Sequence, residues 1–357
     1  MNVPIEFFRE NANRYRKLAR GEKVDYAPFR LWLDQTFVCD FTKTPPAKYA
    51  SDLEVQYQAQ KMVDDRYYGL RDYEVGVNMI DIYFDYKQYW TDSGKKNFQF
   101  LGDDLNNFDK YFQRKKIADV EGVHDLINAV NFYNTKLPAD KKASFYHGCT
   151  GAMDLFSIFR GTEKFFVDLY DSPNKVKQIF EFLTERSLEW LDFQEKTWGD
   201  YNRVNNLFDK IDIGEDYCAY LQPDLFDEFV KPYTGKLVAA WKGKVVCSLH
   251  TDGDMLPSGL HKLGELGIDE LMGFSPNIDI KLFRQALPNV ILGGNIHPIY
   301  HMIEGSPDDV KKAARYCFEN ANQNQRFVLC TGGAITAGAK PENVNAFLEA
   351  VYEVTRY

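Results

Sequence analysis

No two cysteines of this chain form a C-x-x-C pair. The six stand apart, at Cys39, Cys149, Cys218, Cys247, Cys317 and Cys330. Scattered thiols argue against a disulfide framework and against a paired-thiolate zinc site, and they point to a reduced, cytoplasmic protein. Nor does any apolar run approach the roughly 18 residues that a membrane span needs. The N-terminus, M-N-V-P-I-E-F-F-R-E, carries charge where a secretory signal has its apolar core. Basic residues are outnumbered: 43 Lys and Arg against 52 Asp and Glu leave a net charge of −9. That balance excludes the basic footprint of a nucleic-acid surface. No G-x-G-x-x-G opens a helix, and neither G-x-x-x-x-G-K-[ST] nor H-E-x-x-H occurs. Dinucleotide, P-loop and zincin sites therefore have no support. Repeats, low-complexity tracts and linkers are missing as well. The 357 residues, 45% hydrophobic and 27% charged, suit one soluble domain spanning 1–357.

What is present alternates. After an N-terminal helical extension, Pro28–Asp34 and Glu74–Phe84 read as strands, each closed by an acid (Asp34, Asp85). Residues 94–142 are charged and mixed, and read as an insertion with short helices. From Ala143 on, strands and helices follow one another through short connections. The strands fall at Ala143–His147, Leu207–Ile213, Val245–Leu249, Ile268–Phe274, Asn289–Asn295 and Arg326–Cys330. That rhythm means βα units and a parallel sheet, and the count of eight is that of a (β/α)8 TIM barrel.

The most informative stretch is Lys244–Asp254, K-V-V-C-S-L-H-T-D-G-D. An apolar run suited to a buried parallel strand ends abruptly in His250, and Asp252 follows. Residues at strand C-termini face the active site of such a barrel. On this argument the mouth would present Asp34, Asp85, His147 with Cys149, Glu215 with Asp216, His250 with Asp252, Ser275, His297 and Cys330. His250, Asp252, Glu215, Asp85 and His147 are the catalytic candidates. His250, Asp252, Glu215 and Cys330 are the candidate ligands of a divalent metal, since zinc takes these donor types. Each has a plainer reading as a cap on a strand end or a loop. His297 and His147 adjoin Pro or Gly and suit loop structuring equally well. Cys149 is more often a small buried hydrophobe than a nucleophile, so a Cys149–His250 hydrolase pair has little weight. His124, His261 and His301 fall in helical or loop positions and read as structural.

Four stretches resemble the uroporphyrinogen decarboxylase superfamily, and within it the corrinoid-dependent methyltransferases. They are Gly148–Glu163 (containing Arg160-Gly-Thr-Glu163) with Asp168–Pro173; Asp212–Asp216 with Leu225–Phe229; His250–Gly253; and Gly332–Ile335 with Pro341-Glu-Asn343. Their order and spacing carry the likeness. The decarboxylases have an arginine-rich R-Q-A-G-R-Y segment near the N-terminus. Here the corresponding stretch, Phe29–Thr36, has only Arg30.

The thiol-methylating branch resembles H-x-C plus a late cysteine. Here Asp252 replaces the first cysteine, the late position falls near Gly333, and Cys330 lies just upstream. Oxygen and nitrogen ligands leave zinc more Lewis acidic than thiolates do, which suits a donor whose oxygen must be polarised. The resemblance thus implies a cytoplasmic methyltransferase that demethylates a small methylated donor, such as an aryl methyl ether. The chain has no D-x-H-x-x-G corrinoid motif, so the corrinoid would arrive on a partner protein docking over the mouth. The family also suggests a homodimer. The alternative is a metal-free decarboxylase with Asp85, Tyr146 and His297 near its substrate.

Overall fold

The computed structural model describes residues 3–70, 73, 75, 82–85, 88–90, 96–98, 104–138, 143, 147–205 and 210–357. A short hairpin pairs β1 (Gln88–Trp90) with β2 (Lys96–Phe98). The body is a parallel sheet in sequential order: β3 (Gly148–Thr150), β4 (Lys210–Gly214), β5 (Val246–His250), β6 (Glu270–Met272), β7 (Ile291–Ile296) and β8 (Phe327–Thr331). The N-terminal stretch lies along the outer edge of β8. Phe29 bridges Leu329 and Leu33 bridges Ile335, both in parallel. The Leu329 amide donates to the Pro28 carbonyl at 2.9 Å, and the Arg30 amide donates to the Leu329 carbonyl at 3.0 Å. First strand on last is the closure of a (β/α)8 TIM barrel.

Strand parity sorts the side chains. Ile211, Ile213, Cys247, Leu249, Leu271 and Leu292 pack outward against the helices in the main core. Their neighbours face the barrel lumen. Low in the lumen, Lys210 Nζ lies 2.9 Å from Asp212 and 2.8 Å from Glu270, and Tyr15 of the N-terminal helix Asn11–Ala19 donates its hydroxyl to Glu270 at 2.8 Å. Tyr15, Leu18 and Val24 pack there with Met272, Ile291, Val328 and Cys330. The N-terminal extension is therefore a plug: it brings apolar contact and one hydrogen bond to an otherwise costly buried charge network.

The boundaries differ from the sequence reading in places. The third strand begins at Gly148 rather than ending at His147, and residues 144–146, including Tyr146, lie outside the described residues. Gln194, in the long helix Pro173–Asn205, holds the first residue of this strand. Its amide accepts from Gly148 N and donates to Gly148 O, both at 2.9 Å, a tertiary pairing that propensity does not foresee. Most of the expected second strand, and residues 207–209 of the fourth, also lie outside the described residues. The 94–142 insertion holds a helix longer than expected, Glu121–Lys136. Before it, Pro46–Ser51 and Leu53–Arg66 are separate helices, because Asp52 caps the second by accepting from Glu54 N and Val55 N. Among the described residues no helix is long and apolar enough to cross a membrane. All six cysteines are buried and unbridged.

Candidate active site

The C-terminal ends of β4 and β5 lie side by side, with Gly214 in register with His250. Past them the chain turns sharply. After β4, a 3-10 turn (Asp216–Tyr220) starts at once, and its first two amides donate to the Asp154 carboxylate, each at 2.9 Å. Asp154 belongs to the helix Ala152–Arg160 that follows β3. This brace points Asp216 at the mouth. After β5, the Asp252 amide donates to Asp216 Oδ1 at 3.1 Å, which brings the second acid beside the first.

His250 completes the group. Its Nδ1 lies 3.0 Å from the Met272 carbonyl oxygen. A carbonyl only accepts, so Nδ1 carries a proton, and in the neutral imidazole the lone pair is on Nε2. That lone pair faces Asp216 Oδ1 across 3.7 Å, too far for a hydrogen bond. Ligand atoms of Asp216, His250 and Asp252 all lie within 4.8 Å of one another. Three acceptors converge, and a divalent cation is what such a set fits. A ring nitrogen whose other N–H is tied to a backbone carbonyl is also how metal-binding histidines are held. The donor set is one imidazole and two carboxylates, compatible with zinc and without thiolate.

The wall behind His250 is made by Trp32 and Gly273. The indole meets the imidazole edge-on, with centroids 5.1 Å apart. Gly273 has φ +66°, and a Cβ there would lie 2.7 Å from Trp32 Cζ3 and 3.0 Å from His250 Nδ1. Only glycine leaves room for both rings. Around the opening, Asp254 accepts from Ser275 Oγ at 2.5 Å and from Asn277 Nδ2 at 3.1 Å. Tyr220 and Leu256 stand exposed at the same rim. A groove of about 780 Å³ between the Pro276–Ile280 loop and the helix Pro307–Ala321 lies apart from His250 and Asp252.

Electrostatics separate the acids. Desolvation, then the adjacent Asp216 carboxylate, raises Asp252 above the ordinary carboxylate value. Burial, then Asp216, pushes Asp154 up to about 7 against the pull of the two amides it accepts. Burial, then Asp154, raises Glu215 strongly.

The other candidates lie elsewhere. Glu215 turns away from the mouth: Oε1 accepts from the Asp154 amide at 3.1 Å and Oε2 from the Thr234 hydroxyl at 2.9 Å. It fills the space over Gly151, where a Cβ would sit 1.7 Å from Oε2. It is a buried brace outside the acceptor group. Cys330 faces the lumen below the group, and burial pushes its thiol up to about 11, which disfavours the thiolate that a metal needs. His147 precedes β3, on the level of Ile211, with its ring edge-on to Trp241 at 5.3 Å. It is packed away from the mouth because the strand begins after it. Asp85 is exposed and accepts from Gln113 Nε2 at 2.8 Å. Asp34 caps the helix Gln35–Thr42, accepting from Phe37 N at 2.9 Å. His297 Nδ1 accepts from the amides of Ile299 and Tyr300, so this ring structures its own loop.

Asp216 stands at the rim in the sequence, where its neighbour Glu215 is the expected ligand, and neither Asp154 nor Trp32 stands out there. The signal for Asp154 was its place in the first turn of a helix opening on a strand end. Arg160 and Asp168, two of the family-like residues, hold each other in a buried pair at 2.5 Å and serve as a brace between helices.

A parallel barrel with an imidazole–dicarboxylate cluster at the end of β4 and β5 defines a class of enzyme-like fold with a polar mouth. The model of the family described as uroporphyrinogen decarboxylase (URO-D) matches residues 100–354, and the chain belongs to that family. The uroporphyrinogen decarboxylase of Prochlorococcus marinus (strain NATL1A) is 25% identical over 188 residues, covering 51% of this chain and 48% of that protein. That of Pseudoalteromonas translucida (strain TAC 125) is 22% identical over 254 residues, 67% of each. The chain spans about half the length of the first curated relatives it matches. Among solved structures, a methyltransferase from Methanosarcina mazei superposes with a TM-score of 0.72 at 16% identity, covering 96% of this chain and 98% of that one. At that identity the likeness speaks for the shared fold.

Proposed function

We propose that this chain is a methyltransferase of the corrinoid-dependent kind, which demethylates a small methylated donor such as an aryl methyl ether. The observation that carries the reading is the convergence of His250 Nε2 with Asp216 and Asp252, with His250 Nδ1 tied to the Met272 carbonyl. His250, Asp252 and Asp216 would hold zinc, in place of a set that included Glu215 and Cys330. When bound, zinc supplies Lewis acidity at the leaving oxygen, and a corrinoid on a partner protein supplies the Co(I) nucleophile that accepts the methyl group. The chain's own residues do the rest. Trp32 and Gly273 fix the His250 ring, Asp154 fixes the turn that carries Asp216, and the lumen seats the donor beneath them. Tyr220 and Leu256 offer an apolar lip to the incoming partner. The protein would act in the cytoplasm, as one domain.

The second reading is a metal-free decarboxylase, favoured by the names of the curated relatives. The lone Arg30 in place of an arginine-rich segment weighs against a polycarboxylate tetrapyrrole. The deciding test is metal content of the purified protein and of His250→Ala, followed by methyl transfer from methoxyarenes to free cob(I)alamin. About one zinc per chain, lost in the variant, supports the methyltransferase. A metal-free wild type that refuses added zinc, yet decarboxylates uroporphyrinogen, would overturn it.

A further inference from the structure

His250 stands in a row. The parallel register sets Thr150 of β3 beside Gly214 of β4, and Gly214 beside His250 of β5. All three share the lumen face. Asp212, two residues before Gly214, points inward to Lys210, whereas Cys149, Ile213 and Leu249 pack outward in the main core. Neighbouring strands lie about 4.8 Å apart, so the backbones at Thr150 and His250 are about 10 Å apart, with Gly214 between them.

Neither backbone nor packing requires glycine at 214. Its φ lies outside the left-handed region. Among the described residues, a Cβ added there would meet nothing within 4 Å. Other glycines around the mouth differ: a Cβ would lie 1.7 Å from Glu215 Oε2 at Gly151, 2.6 Å from Ala219 Cβ at Gly253 and 2.6 Å from the Phe274 carbonyl oxygen at Gly332. Glycine in a strand loses more backbone freedom on folding and packs nothing, so Gly214 weakens β4. The gap it leaves lies under the acceptor cluster. His250 Nδ1 is tied to Met272 of β6, so Nε2 turns to the opposite neighbour, β4, where Asp216 Oδ1 lies 3.7 Å away. On the far side, the Thr150 hydroxyl has no hydrogen-bond partner among the described residues. Thr150, Gly214 and His250 are all half-buried, so the gap opens to the mouth. A floor of bare backbone between two side chains admits a flat ring, which a third side chain on that floor would exclude.

We propose that Gly214 is a specificity-determining residue of the mouth: its missing side chain admits the aromatic ring of the donor between Thr150 and His250, with the ether oxygen beside His250, Asp216 and Asp252. The inference rests on the methyltransferase reading and names the residue that lets the site take an aryl donor.

The test loads the full chain with cobalt(II) in place of zinc and follows the visible spectrum of the metal during titration with phenol, the product of an aryl methyl ether, and with azide, a small anion. Wild type binds both. Gly214→Val binds phenol at least tenfold more weakly, because its two methyl groups stand where the ring lies, and keeps azide affinity within threefold. Should that variant not fold, Gly214→Ala decides, with phenol at least threefold weaker and azide unchanged. A wild type that takes up no cobalt or responds to azide but not to phenol overturns the proposal, as does phenol affinity within threefold of wild type in Gly214→Val. Methyl transfer from methoxybenzene to cob(I)alamin separates this from the broader reading. Transfer that Gly214→Val leaves unchanged ends the ring seat and leaves the methyltransferase standing. Phenol binding that depends on Gly214, without transfer in wild type, keeps the seat and ends the methyltransferase.

Discussion

Replacing Gly273 by alanine isolates what holds His250 in place. The residue sits at φ +66°, and the new methyl would lie 2.7 Å from Trp32 Cζ3 and 3.0 Å from His250 Nδ1. A left-handed backbone costs alanine about 1–2 kcal/mol. Overlap with the indole and the imidazole adds about 1–3 kcal/mol. Together these lower the melting temperature by roughly 3–7 °C for a chain of this size. The methyl also intrudes on the Nδ1–H···O bond to Met272, 3.0 Å long, which sets the tautomer. Disturbing such a supporting bond typically weakens metal binding by about 10–100-fold. Gly267→Ala is the control: φ is +77°, yet a Cβ there meets nothing within 4 Å. It should lose about 1–2 kcal/mol of stability from the backbone alone and keep full metal affinity. Zinc affinity from chelator competition and thermal melting of both variants give the comparison. If Gly273→Ala binds zinc within threefold of wild type and melts with Gly267→Ala, the claim that this glycine positions His250 is wrong.

Two further outcomes follow from buried charge. Asp154 is held up to about 7 by burial and Asp216, whereas an unfolded aspartate titrates near about 3.9. The native state therefore binds this proton more tightly, so metal-free protein loses stability as pH rises from about 4 to about 7 and levels off above, with a slope of at most about 1.4 kcal/mol per pH unit from this group. Urea unfolding between pH 4.5 and 8 should show a shallower slope for Asp154→Asn, and an unchanged slope would refute the assignment. Arg160→Ala leaves the Asp168 carboxylate, 9% exposed, without its cation and should cost about 3–5 kcal/mol. Removing both partners should recover part of that loss in denaturant titrations. A single-variant loss below about 1 kcal/mol would show that the pair is not a brace.

The barrel was legible because its cues are local. Each strand is a short apolar run between turn residues, and His250 and Asp252 announced themselves by ending one. Ser306 and Asp309 form a reciprocal cap that opens the helix Pro307–Ala321 as its sequence suggests. The choice between Glu215 and Asp216 was not legible. Adjacent acids on one turn differ only in which way the turn rolls, and that is decided by the Asp154 carboxylate, the gap over Gly151 and the Thr234 hydroxyl, all distant in sequence. His147 illustrates the same limit. A strand boundary moved by a few residues carries a side chain from the mouth to the packing layer, and His147 falls on the level of Ile211, which packs outward. Cys330 read correctly as the last apolar residue of its strand, but parity and closure of the barrel put it below the cluster, among Tyr15, Val328 and Met272. Arg30 could be counted from the sequence, whereas its place against Trp32, one ring from His250, exists only once the first strand closes on the last. Periodicity along the chain therefore determined which elements form, and the long-range register between them decided which side chains share the lumen.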